Sequence, residues 1–344
     1  AGAFTAGGNF TTLGGKLAPG LAANYASAAL SRSRAGSSSF SNFAGASGGA
    51  ASRAPLERMV NVSQPVSFMQ RGYGRVRLGG PRAFSSKYQN ARHYGVLIAA
   101  HETKGPVTYY LDKAEVEIDE TGEVTTEPQA GYASLRPYTG SSGQAADAVW
   151  LAAFPEVTAE HDFAGISYLA ATARNPAAEL QNAVFPNGQH WNLTPVWDMC
   201  NTVRDPRTGA IGWTRNPALI FAHEAALHGL STDDAEIARA ADVCDQIVLT
   251  ASGAQRARYT FNGLFYDDQD WADTADDIAK VCDGYVYERR DGGAGFIAGS
   301  YVEPGIVLTA RSFRALSVEE GQIGKSAVTE VVVRYVEPEY QYEE

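Results

Sequence analysis

Residues 74–81 read Gly-Arg-Val-Arg-Leu-Gly-Gly-Pro, an alternation of basic and apolar side chains that ends in two glycines and a proline. Alternation with a period of two is typical of a half-buried β-strand, and the Gly-Gly-Pro sequence is typical of a turn. The stretch therefore predicts a strand followed by a turn, and we expect the sequence on both sides of it to be rich in β-structure.

The neighbouring segments extend this pattern. Residues 66–68 form a short, largely apolar segment. Residues 94–99 (Tyr-Gly-Val-Leu-Ile-Ala) form an apolar run suited to a buried strand, and residues 107–118 resemble a hairpin that turns at Asp112-Lys113. Residues of about 60–120 are therefore predicted to form an antiparallel sheet. A further apolar run covers residues 163–171, and the segments 185–188 (Phe-Pro-Asn-Gly) and 205–209 (Asp-Pro-Arg-Thr-Gly) have the composition of turns.

Helices are predicted only in the second half of the chain. The first begins at Asn216-Pro217, an N-cap followed by proline, and runs to Gly229. The second begins at residues 231–234 (Ser-Thr-Asp-Asp), and its apolar stripe comprises Ile237, Ala240, Ala241, Cys244, Ile247 and Val248. The third begins in the acidic stretch 267–273, ends at Gly284, and aligns Ala275, Ile278, Ala279 and Cys282.

Further strands are predicted after the third helix, at residues 285–288, 295–301, 306–309 and 328–336, with a turn at residues 291–293. Helices lying on small antiparallel sheets indicate an α+β fold class. We therefore expect a β-rich chain of several small antiparallel β-domains with helical insertions.

Length and charge limit the function. The 344 residues predict two or three domains, and the net charge of −11 disfavours binding to nucleic-acid phosphate. The 17 tyrosines and 14 phenylalanines are too many for a disordered chain, and we expect them to lie in the core and at interfaces. Cys200, Cys244 and Cys282 fit neither a disulfide framework nor a zinc ribbon, and they are predicted to be buried thiols.

The N-terminal region differs from the rest of the chain. Of the first 50 residues, 34 are Gly, Ala, Ser or Thr, and no acidic residue precedes Glu57. Four basic residues precede Glu57, namely Lys16, Arg32, Arg34 and Arg53. Such a segment buries little apolar surface, so we expect an arm that is ordered only against the body or against neighbouring chains. Arg32, Arg34 and Arg53 are candidate assembly contacts to acidic neighbours. Residues 13–30 do not fit a membrane span or a signal peptide.

These observations predict four parts: an arm over residues 1–55, a β-rich domain over 56–160, a mixed helical and β-domain over 161–250, and an α+β domain over 251–344. Each boundary falls where the composition or the predicted elements change.

Two constellations resemble metal sites but fit them poorly. His223-Glu224 and His228 are five residues apart rather than four, so the imidazoles do not share a helix face, and we expect two solvated histidines on a helix surface. Residues 267–270 (Asp-Asp-Gln-Asp) resemble the start of a calcium loop, but Asp273 stands where the turn needs glycine, which favours helix capping. No nucleophile elbow, phosphate loop or dinucleotide fingerprint occurs.

A set of segments resembles, in order along the chain, the tail tip attachment (host specificity) J proteins of lambda-like siphophages and the related hub proteins of prophages and gene transfer agents. The resemblance extends over residues of about 60–342. The segments that carry it are 64–66, 73–81 (Tyr-Gly-Arg-Val-Arg-Leu-Gly-Gly-Pro), 93–99, 110–112, 163–169, 184–188, 203–209, 216–219, 241–245, 258–263 and 333–338.

The resemblance implies a structural role in a virion, at the distal end of a phage tail. It implies a homotrimeric hub that closes the tail tube, docks the distal tail protein, the tape-measure protein and fibre or receptor-binding proteins, and takes part in host attachment and DNA ejection. No catalytic residue, cofactor or metal is implied, and the chain is expected not to be an enzyme. Family members are often far longer, so the sequence corresponds to a minimal hub or to the hub portion of a longer protein.

Two alternatives stay open. A surface adhesin or carbohydrate-binding module would use exposed tyrosines and phenylalanines to stack on sugars. A virion-associated cell-wall hydrolase would use a pair of carboxylates, for which no fixed spacing in the sequence exists.

Overall fold

The computed structural model describes residues 59–63, 67–188, 191–250, 252–300, 305 and 309. The predicted arm with Arg32, Arg34 and Arg53, and the predicted strand 328–336, lie outside these residues, as does all of the predicted strand 306–309 except Thr309. The chain divides into two compact units, Ala1–Gly299 and Ser300–Glu344, and all the helices and strands given below belong to the first.

The described residues contain sixteen strands and five α-helices. The strands are β1 Gln70–Tyr73, β2 Arg75–Arg77, β3 Arg82–Tyr88, β4 Ala91–Ala99, β5 Thr103–Leu111, β6 Ala114–Val116, β7 Ala133–Thr139, β8 Ser167–Arg174, β9 Val196–Cys200, β10 Val203–Arg204, β11 Ile211–Gly212, β12 Ile247–Leu249, β13 Gln255–Ala257, β14 Gly263–Tyr266, β15 Tyr285–Glu288 and β16 Ala294–Ile297. The helices are α1 Ala148–Ala153, α2 Gln181–Val184, α3 Pro217–Leu227, α4 Asp234–Asp245 and α5 Trp271–Val281.

All ladders between these strands are antiparallel. Two sheets have four strands, in the orders β2-β9-β5-β6 and β3-β4-β8-β7, and four further sheets are two-stranded: β1-β14, β10-β11, β12-β13 and β15-β16. The prediction of a β-rich α+β fold with several small antiparallel sheets is confirmed.

The strands within residues 60–120 are divided between these two larger sheets and the two-stranded sheet β1-β14. Strands β2, β5 and β6 belong to one and β3 and β4 to the other, and β7, β8 and β9 complete them from later in the chain. The prediction of one sheet was therefore wrong, because the strands that pair are brought together by burial of segments that lie far apart in the sequence. The predicted domain boundaries stay a prediction; β1 pairs with β14 and β4 with β8 across them.

Strand β4 shows how the alternation of side chains builds the layers. Tyr94, Val96 and Ile98 point into one buried cluster, which they share with residues of both four-stranded sheets. The opposite face of β4 carries Gly95, where a Cβ atom would lie 2.6 Å from the ring of Trp150. Helix α1 thus packs on this face because glycine leaves room for the indole.

Helix α1 was not predicted. It begins at Asp147, whose carboxylate accepts a hydrogen bond from the backbone N–H of Trp150 and pairs with Arg136 at 2.7 Å. The helix has only six residues, fewer than two turns, so its sequence carries no periodicity that distinguishes it from a loop. The expectation that helices occur only in the second half was therefore wrong.

The three longer helices begin as their capping residues predict. Asn216 accepts from the backbone N–H groups of Ala218 and Leu219 at the start of α3, and Asp233 accepts from that of Glu236 at the start of α4. Helix α5 follows Asp270, whose side chain makes no capping hydrogen bond. The acidic stretch therefore lies at the start of the helix, as predicted, but Asp270 does not make the capping hydrogen bond.

Helix α4 is shorter than its apolar stripe predicted. Ile237, Ala240, Ala241 and Cys244 are buried, as expected, but the helix ends at Asp245. Ile247 and Val248 instead lie on strand β12 and are exposed, so their assignment to the helix core was wrong.

Helices α3, α4 and α5 form one core with β1, β14 and β16. Cys200, Cys244 and Cys282 are all buried free thiols, which confirms their prediction. Within the described residues, no helix is both long and apolar enough to cross a bilayer.

Candidate functional site

The richest cluster of chemically active side chains lies where helix α3 packs on strand β1. Glu224, on α3, is fully buried, and Arg71, on β1, is buried beside it. The Arg71 guanidinium donates two hydrogen bonds to the carboxylate, from Nε at 3.0 Å and from Nη2 at 3.1 Å. Asp267, which follows β14, lies 3.6 Å from Nη1 of Arg71. A two-pronged ion pair of this kind fixes a strand against a helix.

Tyr73 extends the ion pair into a chain of hydrogen bonds. Its hydroxyl donates to Oε1 of Glu224 at 2.6 Å, so the contact of 2.7 Å between this hydroxyl and His223 has Nδ1–H of the imidazole as donor. Nε2 of His223 is then the acceptor for the hydroxyl of Thr202 at 3.4 Å. The chain Thr202, His223, Tyr73, Glu224 is therefore consistent with a neutral imidazole.

His101 closes the cluster on the other side of Tyr73. The two rings stack with their centroids 6.2 Å apart. Nε2 of His101 accepts from the backbone N–H of Gly72 at 2.9 Å, which leaves Nδ1–H to donate to the carbonyl oxygen of Glu102 at 3.0 Å. Burial lowers the pKa of His101 to about 4, so this imidazole is neutral at physiological pH.

The titratable groups of the cluster hold fixed protonation states. Burial alone would raise the pKa of Glu224, but the charge of Arg71 and the hydrogen bonds from Arg71 and Tyr73 outweigh it, and the pKa is lowered. Burial and the neighbouring Glu224 raise the pKa of Tyr73 well above its usual value, and burial lowers the pKa of His223. A carboxylate with its charge so fully compensated is a poor general base.

The cluster corrects the sequence-based picture of this helix. His223 is half-buried and bonded on both nitrogens, and Nε2 of His228 lies 3.7 Å from the Glu224 carboxylate. The expectation of two solvated histidines was wrong because Tyr73 of β1 covers His223 and Trp271 of α5 packs against His228. Within the described residues no group of three or more His, Cys, Asp or Glu side chains is arranged to hold a metal ion.

Arg71 and Tyr73 were missed as partners of Glu224. One signal was present in the sequence: Glu224 is the only acidic residue in the otherwise apolar segment 217–227. A buried carboxylate needs a cation, and the sequence does not say which of the 28 lysines and arginines supplies it.

A second charged cluster ties the turn 205–209 to helix α4. Arg207 bonds to Asp205 within the turn and reaches Asp242 and Asp245 on α4, each at 2.9 Å. These groups are partly or largely exposed, so the network positions the β10-β11 hairpin rather than forming a reactive site.

A cleft of about 720 Å³ lies beside helix α1 at the edge of the sheet that contains β3 and β4. Its lining includes two tyrosines, Tyr88 and Tyr132, together with His93, Asn90 and Arg174. His93 bonds through Nδ1 to the hydroxyl of Thr172 at 3.2 Å, and Arg174 pairs with Glu123 at 2.6 Å. Aromatic rings next to amide groups form a surface on which a sugar ring can stack.

The candidate assembly residues Arg32, Arg34 and Arg53 lie outside the described residues.

Comparisons with known proteins find similarity to solved structures. No family model matches the chain, and no curated protein matches it. A chain from a solved structure described as the virion of a native gene transfer agent (GTA) particle aligns with 17% identity and a TM-score of 0.35. The alignment covers 52% of this chain and 39% of that chain, so it spans less than half of the virion chain.

Proposed function

We propose that the protein is a structural component of a phage-like virion, and specifically a hub protein at the distal end of the tail. In this role three copies close the tail tube and dock the distal tail protein, the tape-measure protein and fibre or receptor-binding proteins. The protein would take part in host attachment and DNA ejection as a scaffold, without a cofactor and without catalysis.

The observation that carries the proposal is the ordered series of hub-like segments over residues of about 60–342. The first long segment, residues 73–81, serves as a junction in the fold. Tyr73 belongs to the buried cluster, Arg75 pairs with Asp198 at 2.7 Å, and Arg77 stacks 3.7 Å from the ring centre of Tyr110. A Cβ atom at Gly80 would collide with the carbonyl oxygen of Leu97.

These contacts favour a scaffold because the polar residues of the segment join secondary-structure elements. Arg75 and Arg77 both lie on β2, which pairs with β9, while Tyr73 lies on β1, which pairs with β14. The segment 203–209 also joins elements of the fold, because Arg207 in its turn bonds to two aspartates of α4. The family-like motifs thus coincide with positions that hold elements together.

The side chains most suited to catalysis support the same proposal. Glu224, His223 and Tyr73 bond to one another and to Arg71 and Thr202, and the carboxylate is fully buried. A nucleophile or general base must reach a substrate atom, and this carboxylate has no open face.

Immunogold electron microscopy of purified virions, with antibodies raised against residues 60–344, tests the proposal. We expect gold particles only at the distal tail end. Particles without label, whose mass spectrum also lacks the chain, would refute the proposal.

The basic arm is proposed to tether the protein to acidic neighbouring chains. Changing Arg32 and Arg34 together to glutamate should lower incorporation into tails while the body remains folded. Unchanged incorporation in purified particles would contradict the tether, and circular dichroism of the variant checks the body.

A carbohydrate-binding module is the second candidate function, favoured by the cleft at Tyr88 and Tyr132. Under this alternative, the purified chain binds oligosaccharides on a glycan array, and Tyr88→Ala removes the binding. Absence of glycan binding together with label at the tail end would favour the hub.

A further inference from the structure

The β12-β13 hairpin exposes an unusual run of aliphatic side chains. Ile247, Val248 and Leu249 follow one another on β12, and Ile247 and Leu249 are 64% and 71% exposed. Because neighbours on a strand point to opposite faces, Ile247 and Leu249 lie on one face and Val248 on the other. Isolated apolar residues are common on protein surfaces, but a contiguous exposed group marks an interaction surface.

The hairpin is attached firmly at its base and pairs with no further strand among the described residues. Its two strands form a sheet of their own. Below them, the backbone N–H of Arg258 donates to the carbonyl of Gln246 at 2.7 Å, and that of Tyr259 donates to the carbonyl of Cys244 at 3.1 Å. An isolated two-stranded sheet is marginal in water, so burial of its faces would stabilise it.

A second apolar surface lies at the end of helix α5. Val281 ends the helix, and Tyr285 and Ile297 face each other as partners in the β15-β16 ladder. All three are exposed, Tyr285 by 66%. We call the two exposed faces of the β12-β13 ribbon together the hairpin surface; Ile247 and Leu249 lie on one face, and Val248 and its ladder partner Arg256 lie on the other. We call Val281, Tyr285 and Ile297 the α5 surface.

The two surfaces differ in the charge around them. Residues 246–258, which form the hairpin, include Arg256 and Arg258 and no acidic residue. Near the end of α5, Asp276, Asp277 and Asp283 lie within five residues of Val281, and Lys280 pairs with the first two. The hairpin is therefore apolar and basic, and the α5 surface is apolar with a small excess of acidic charge.

We propose that the hairpin surface of one copy docks on the α5 surface of a second copy of this chain. Charge complementarity favours a second copy of this chain as the partner, because each copy carries both the basic and the acidic surface. A contact between two different surfaces is heterologous, and it closes into a ring when the rotation between copies permits. The proposal deepens the proposed function and rests on it, since it assigns the contact between copies of the hub.

Both surfaces lie at the same end of the helical core. Helix α4 ends at Asp245, directly before the hairpin, and Cys244 and Cys282, near the ends of α4 and α5, lie in the same buried cluster. Copies arranged around an axis at this end would place each projecting hairpin next to the α5 surface of a neighbour.

The test measures self-association of the full chain by sedimentation equilibrium over a range of concentrations. The variant Ile247→Asp/Leu249→Asp is expected to raise the dissociation constant by about 100-fold or more, as for loss of central apolar contacts. The matched control is Ile211→Asp on the β10-β11 hairpin, since Ile211 is 68% exposed. The control should associate as the wild type does, and more salt should weaken the wild-type contact.

A mixing experiment tests whether the two surfaces contact each other. Tyr285→Asp should abolish association as the hairpin variant does, and an equimolar mixture of the two variants should regain a heterodimer through the one intact contact. A Leu249→Cys copy oxidised with a Tyr285→Cys copy should form a disulfide between chains.

Three results would overturn the proposal: a wild type that stays monomeric, a hairpin variant that associates as Ile211→Asp does, or a mixture that regains nothing and forms no disulfide. Immunogold labelling of virions distinguishes failure of this docking contact from failure of the proposed hub function. Label at the tail end with any of these results removes the docking contact only, whereas virions without the chain remove the hub role itself.

Discussion

Removing the charge of Glu224 should destabilise the protein strongly. The buried carboxylate accepts two hydrogen bonds from Arg71 and one from Tyr73, all between 2.6 and 3.1 Å. Glu224→Gln keeps the shape of the side chain but leaves the buried guanidinium without its closest carboxylate. Breaking a buried ion pair in this way costs about 3–5 kcal/mol. Asp267, at 3.6 Å from Arg71, offsets part of this cost, so we expect about 3 kcal/mol.

Urea unfolding followed by tryptophan fluorescence measures the change, because Trp271 packs against His228 with ring centres 5.3 Å apart. For a chain of this size the loss corresponds to a fall in melting temperature of about 6 °C. The double variant Arg71→Met/Glu224→Leu should regain most of the stability, since an apolar pair can replace a buried ion pair.

The matched control is Asp234→Asn. Asp234 also bonds to an arginine, Arg204, through two hydrogen bonds, but both side chains are more than half exposed. An exposed pair of this kind contributes little to stability because solvent screens it. If Glu224→Gln loses no more stability than Asp234→Asn, the buried ion pair does not hold β1 against α3, and the account of this cluster is wrong.

Three further predictions concern other parts of the fold. Lowering the pH from 6.5 to about 4 should lower the unfolding free energy by about 3 kcal/mol. Burial lowers the pKa of His101 to about 4, so in this pH range its imidazole takes up a proton only in the unfolded chain. His101→Gln should therefore reduce the pH dependence of stability in urea titrations. Gly80→Ala should abolish soluble expression, since its methyl group would meet the carbonyl oxygen of Leu97, whereas Gly143→Ala meets no atom within 4 Å and should express normally. Asn216→Ala should lower the unfolding free energy by about 1–2 kcal/mol through loss of the α3 cap, and Asn216→Ser, which keeps an oxygen that can accept the capping hydrogen bonds, should lose less; equal losses in thermal unfolding would contradict this.

Much of the secondary structure follows from short segments. Asn216-Pro217 marks the start of α3, and strand β4 covers the apolar run at residues 94–99. Caps and alternation act over a few residues, so a local pattern contains the whole physical cause. The hairpin at Asp112 is of this kind, with Asp112 itself in the left-handed region at φ 55°.

The candidate site depends on contacts between distant segments. Arg71 and Glu224 are 153 residues apart, and Tyr73 and His223 are 150 apart. The apolar helix around Glu224 indicated that a cation was needed, but local spacing contains no information on its position. Helix α1 was missed for the same reason. It begins at the buried carboxylate of Asp147, which pairs with Arg136 on strand β7.

The amino-acid pattern was sufficient for the α+β class, the buried cysteines and the starts of the longer helices, because burial of apolar side chains and capping of N–H groups are local requirements. Tertiary packing alone determined which strands share a sheet, and it placed Ile247 and Val248 on an exposed hairpin instead of in the core of α4. Both outcomes depend on which surfaces remain uncovered after all elements have packed, and that is a property of the whole chain.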